Sequence, residues 1–175
     1  MYFRFPARYR RQALEGVKVY FTREGPTSKR TQPRIGPDEK IVLWKKIQHF
    51  IERRYIGPTS TKFKSSIKYF AVPKGKDDWR IVFHAGTNEL NERVWAPPFG
   101  LPSINSLLRI VNGGSLMSDR DMGDMFHNFP LDESTGLYTT IDLAPLGFEP
   151  DICKHRWVCW KRNLMGFRSD RRAHV

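Results

Sequence analysis

The sequence is poor in several things. Cysteine occurs twice, at Cys153 and Cys159, among 175 residues. Two thiols do not make a disulfide framework, so the default expectation is an intracellular protein. No apolar run reaches the roughly 20 residues that a membrane span needs. The opening "MYFRFPARYRR" is basic but lacks the apolar stretch of a secretory leader. Acid is scarce in the first 76 residues, where 19 Lys/Arg face 5 Asp/Glu. What is present is ample apolar and aromatic material, 39% and 13%. That supports a packed core and excludes wholesale disorder.

Charge is segregated along the chain. Residues 77–151 hold 12 acidic and 4 basic side chains, and the last 24 hold 7 basic and 1 acidic. A basic front suits a polyanion such as nucleic acid. The acidic middle repels that partner unless a cation lies between. Solvated charged faces are the plainer alternative, and both readings stand at this level.

Strands and helices alternate irregularly, which predicts an α+β fold. Residues 1–36 are rich in Arg, Gly and Pro and are expected to form a weakly ordered basic arm. Residues 38–55 read as a helix, with Ile41, Trp44, Ile47 and Ile51 at helical spacing and Leu43 and Phe50 beside them. Residues 67–73 and 79–84 read as a hairpin around the polar turn "KGKDD". Residues 85–100 read mostly as loop. A short helix over 103–112 has Ser103 as N-cap, with Ile104, Leu107, Leu108 and Val111 expected to be buried. Further strands are expected over "SLMSDRDM", 137–143 and 155–162.

Asp119, Asp121 and Asp124 cluster within "SDRDMGDMF". Magnesium takes oxygen ligands, commonly one or two carboxylates plus substrate phosphates. The spacing does not fit a calcium loop, and taken alone it equally describes an acidic surface hairpin. Cys153, His155 and Cys159 raise zinc, but match no common finger spacing. Buried thiols are the plainer reading.

The order of segments says more than any one of them. "YFAVPKGKDDWRIVFHAGTNELNERV", "GLPSINSLLRIVNGG" and "SLMSDRDMGDMFHNFPLDESTGLYTTI" together resemble the reverse transcriptases. Leu90-Asn91, Pro102, Asp121, Pro130-Leu131 and Thr139 fall in that family's order, and "NLMGFRSDRR" is similar to its later glycine element. The resemblance covers about residues 38–172. It implies a right-hand polymerase with fingers over 37–114 and part of a palm over 115–175, the palm sheet antiparallel and incomplete. The partners implied are an RNA or DNA template-primer and a deoxynucleoside triphosphate, with Mg²⁺ or Mn²⁺ as cofactor and a mobile element as source. Asp121 would be the catalytic, metal-binding carboxylate. Lys74, Lys76 and Arg80 would meet the triphosphate, with the backbone at Asp124 and Met125. Phe126 would crowd a ribose 2′-hydroxyl, and Gly166 would belong to the nucleotide-facing segment.

The family's second metal-binding motif, a "Y-x-D-D" hairpin, is not found after Gly166, and no thumb follows. The expectation is therefore a fragment that does not polymerise alone. Two rival readings remain. One is a basic nucleic-acid-binding module without catalysis. The other is an interaction protein whose charges are simply solvated.

Overall fold

The computed structural model describes residues 6–59, 62–75, 78–86, 88–96, 103–111, 114, 116, 118, 124–147 and 155–165. The expected strand over "SLMSDRDM" falls largely outside them.

The organising element is α2, Pro37–Glu52. Proline at its first position and Asp38 and Glu39 in its first turn suit a helix start. Leu43, Ile47 and Phe50 are its buried residues, with Trp44 and Ile51 half-buried beside them. Burying each of the three contributes about 2 kcal/mol. Ile41, expected on this stripe, is exposed. The buried face is centred one residue away from the simplest reading of the pattern.

The helix stops sooner than expected and by an unexpected device. Arg54 takes a left-handed φ of 56°. Its N–H bonds to Ile51 C=O at 2.9 Å, and Tyr55 N–H bonds to Phe50 C=O at 2.8 Å. This is a two-bond helix stop of the kind usually built on glycine. Gly57, three residues on, lies in β2 (Ile56–Pro58).

Strand β2 (Ile56–Pro58) pairs antiparallel with β7 (Trp157–Trp160), which pairs antiparallel with β6 (Thr140–Asp142). The β6 positions are all buried. A second unit is the hairpin of β3 (Lys68–Pro73) and β4 (Trp79–His84), in the expected place. Gly75 at its tip has φ of 86°, the conformation that glycine supplies. The hairpin joins the three-stranded sheet through a parallel bridge between Ser66 and Thr140. Its inner residues Tyr69 and Phe83 enter the core with Ile56, Ile141, Val158, Trp160, Leu131 and Leu164. The fold is thus α+β with small antiparallel sheets.

The basic arm is tied down over its described part. It forms α1 (Ala7–Glu15) and β1 (Tyr20–Phe21), and β1 pairs with β5 (Val94–Trp95). Gln32 acts as a surrogate strand. Its amide donates to Tyr69 C=O at 2.6 Å and accepts from Tyr69 N–H at 3.1 Å. The adjoining edge group, Ala71 N–H, donates to Glu39 at 2.9 Å. These bonds cap an edge that would otherwise be open to pairing. Composition alone suggested looseness here, because such long-range bonds leave no periodic signal.

Residues 85–96 are less loop-like than expected. Buried Asn88 donates to Ser65 Oγ, and short helix α3 (Leu90–Arg93) leads into β5. Helix α4 spans only Ile104–Leu108, and Ser103 Oγ accepts from Ser106 N–H at 3.2 Å as its cap. Its expected stripe is exposed, not buried: Ile104 76%, Leu108 62%, with Leu107 and Val111 also exposed. Strand 137–143 shortens to β6, because residues 137 and 138 form a turn behind α5 (Glu133–Gly136).

Candidate nucleotide site

Asp121, Lys76 and Gly166 lie outside the described residues. Asp124, Met125 and Phe126 are described. Asp124 stands in a left-handed conformation, φ 51°, and starts a short 3₁₀ turn, Met125–Asn128. All three side chains are exposed. Phe126, at 38%, is a ring offered to solvent and not a core residue.

What fixes this turn is His127, which the sequence reading did not single out. Its ring lies flat against Trp160 of β7, 5.4 Å between centroids and 10° between planes. Its other neighbour is Tyr55, at 4.6 Å and 26°. Phe50 approaches at 5.6 Å. Trp160 meets Phe83 of the hairpin edge-on at 4.7 Å. One aromatic cluster therefore joins the end of α2, strand β4, strand β7 and the turn that follows Asp121.

Asp124 is the nearest described carboxylate to Asp121 in sequence. Its Oδ2 accepts from the Tyr55 hydroxyl at 3.4 Å, and its Oδ1 lies 3.7 Å from His127 Nδ1. The latter is too long for a hydrogen bond, so His127 Nδ1 is buried without such a partner. Burial holds His127 below its ordinary pKa, and the Asp124 charge opposes that shift. The ring is thus biased toward its neutral form at pH 7.

The hairpin residues are placed differently. Lys74 lies 4.0 Å from Asp78, which Lys46 also approaches at 3.7 Å. Arg80 is exposed and stands opposite Val72. Side chains alternate along a strand, so Arg80 lies on the face opposite Phe83, the residue that reaches Trp160. Among the described residues no hydrogen bond or ion pair joins Lys74 or Arg80 to the Asp124–Phe126 turn. The structure brings Asp124, Met125 and Phe126 together and leaves Lys74 and Arg80 on a separate element.

No group of three or more His, Cys, Asp or Glu able to hold a metal gathers among the described residues. Cys159 is buried on β7 and its thiol lies 3.6 Å from Pro58 C=O, which is the inert reading of that residue.

A second carboxylate the sequence reading passed over is Asp142, on β6, 2% exposed. Arg156 grips it with two bonds of 2.9 Å, and Ala144 N–H donates to it at 3.1 Å. Such forked pairs are strong and directional. The same bonds raise the Arg156 pKa. Tyr69 donates to Asp142 C=O at 2.8 Å, and burial, followed by the Asp142 charge, raises its pKa too.

No family model matches the chain, and no curated protein matches it. Among the described residues no helix is long and apolar enough to cross a membrane.

Proposed function

We propose that this chain is the fingers and first part of the palm of an RNA-directed DNA polymerase, from a mobile element, working on a nucleic-acid template-primer and a deoxynucleoside triphosphate with Mg²⁺ or Mn²⁺. The observation that carries the reading is the aromatic cluster of Phe83, Trp160, His127 and Tyr55. Two of the three segments whose order resembles the family meet there, the first through Phe83 and the third through His127, both against Trp160 of β7. In this reading Asp121 carries the metal. In the complete polymerase that metal would supply charge stabilisation for phosphoryl transfer. Exposed Phe126 presents the ring that excludes a 2′-hydroxyl.

The test is a titration of the chain with a deoxynucleoside triphosphate, with and without Mg²⁺. Binding is expected to require Mg²⁺ and to fall at least tenfold in Asp121→Ala. Phe126→Ala should narrow the preference for the deoxy over the ribo form. Binding indifferent to both Mg²⁺ and Asp121→Ala overturns the polymerase reading.

The second reading is a basic nucleic-acid-binding module without catalysis. Cations lying over aromatic rings favour it: Lys18 over Tyr20, Lys29 over Phe63 and Arg156 over Trp157. It predicts salt-sensitive binding that ignores Asp121 and Mg²⁺.

A further inference from the structure

We infer that the face built on Phe63 and Trp157 binds single-stranded nucleic acid, at a place separate from the turn after Asp121. The inference rests on the nucleic-acid partner proposed above, but not on polymerisation.

The face is a row of two rings with a cation at each end. Lys29 Nζ sits 4.8 Å from the Phe63 ring centre. Phe63 and Trp157 lie 4.8 Å apart at 36°. The Arg156 guanidinium is 5.2 Å from the Trp157 ring. Lys62 and Lys64 flank Phe63 in sequence and are exposed. Rings flanked by cations suit a flexible single strand, which needs π-faces for bases and positive charge for phosphates.

The platform is rigid, and its two ends differ. Lys64 N–H and Ser65 N–H both donate to Leu137 C=O, at 2.8 and 3.2 Å, and Ser65 Oγ donates to Tyr138 C=O at 2.9 Å. Arg156 is clamped by buried Asp142, so that end is fixed and its charge is matched. Lys29 is exposed and shows a ring contact in place of an ion pair. Phe63 is 8% exposed beneath Lys29 and beside half-buried Trp157, so a base reaches its ring only when Lys29 swings away. Arg30, next to Lys29 in sequence, lies in the field of Glu89. An acidic peptide would satisfy the lysines but would make no use of the stacked rings. The single strand uses both.

The experiment measures binding of a fluorescein-labelled single-stranded RNA or DNA oligonucleotide across a range of salt, without Mg²⁺ or triphosphate. Lys29→Ala with Lys64→Ala removes two phosphate contacts. On a single strand each contributes about 0.7 to the log–log salt slope, so the slope should fall by about 1.4. Affinity should drop roughly 25-fold at 0.1 M salt and converge with wild type near 1 M. Trp157→Phe should remove a large part of the tryptophan quenching that accompanies binding. Both lysines are exposed, and an unchanged thermal midpoint checks that the fold is intact.

If the wild type binds but the double variant keeps its slope, this face is wrong while the nucleic-acid reading stands. If the wild type fails to bind at 50 mM salt, both fall. Equal displacement of the oligonucleotide by polyglutamate of matched charge would assign the face to acidic protein and overturn the proposal.

Discussion

His127 is the most informative single position in the molecule. Replacing it with alanine removes two near-parallel ring contacts, to Tyr55 and Trp160, and opens a void beside Phe50. Each ring pair contributes about 0.5–1.5 kcal/mol beyond simple burial. With the void included, His127→Ala should cost about 2–3 kcal/mol of unfolding free energy, measured by urea titration. His127→Phe keeps a flat ring in the slot and should recover most of that. The pair also isolates a pH effect. Burial, the larger influence, lowers the folded pKa of His127 below its unfolded value. The unfolded chain therefore binds more protons at low pH, and stability from the neutral ring is complete above about pH 6.5. It is lost progressively as pH falls below that. The groups facing the ring are Asp124 and Tyr55; Asp124, by raising the pKa, reduces the loss but does not reverse it. Stability of wild type relative to His127→Phe should consequently fall between pH 7.5 and 5.5. A wild type that gains on His127→Phe over that interval would refute the argument. So would a His127→Ala loss under 0.5 kcal/mol.

Two further predictions concern the backbone around this cluster. Gly16 has φ of 92°, and a Cβ there would lie 2.6 Å from backbone atoms of Leu131 and Asp132. Gly16→Ala should cost at least about 2 kcal/mol by denaturant unfolding, because the bonds of Val17 to Pro130 and Asp132 must stretch; a neutral variant would mean the arm does not dock. Arg54, left-handed at the end of α2, should tolerate glycine with a gain of about 0.5–1 kcal/mol. A loss in thermal stability on Arg54→Gly would mean that its side chain, and not its backbone angle, matters.

Elements with a local signature were legible in the sequence. The α2 stripe, the β3–β4 hairpin with Gly75 at its tip and the Ser103 cap each follow from residues within one or two turns of each other. Elements made by distant partners were not. Gln32 bonding Tyr69, β1 pairing β5, and the Ser66–Thr140 bridge join residues far apart in the chain, and a single sequence carries no trace of such pairing. Helix α4 shows the converse. Its apolar spacing was real, but periodicity says which side is apolar, not whether anything described covers it.

The candidate site divides along the same line. Asp124, Met125 and Phe126 were singled out because they stand in one short stretch with a recognisable order. His127 and Tyr55 were missed because their role is conferred by Trp160, which follows His127 by more than thirty residues. Yet the support is where the sequence could have spoken. His127, directly after exposed Met125 and Phe126, is the ring of this turn that lies inward, against Trp160. In a 3₁₀ turn each residue advances by about a third of a revolution. Adjacent side chains therefore diverge, and burying His127 is what compels Phe126 to stay at the surface. The exposure of that ring follows from the anchoring of its neighbour, so a variant that frees His127 should also release Phe126 from its present direction.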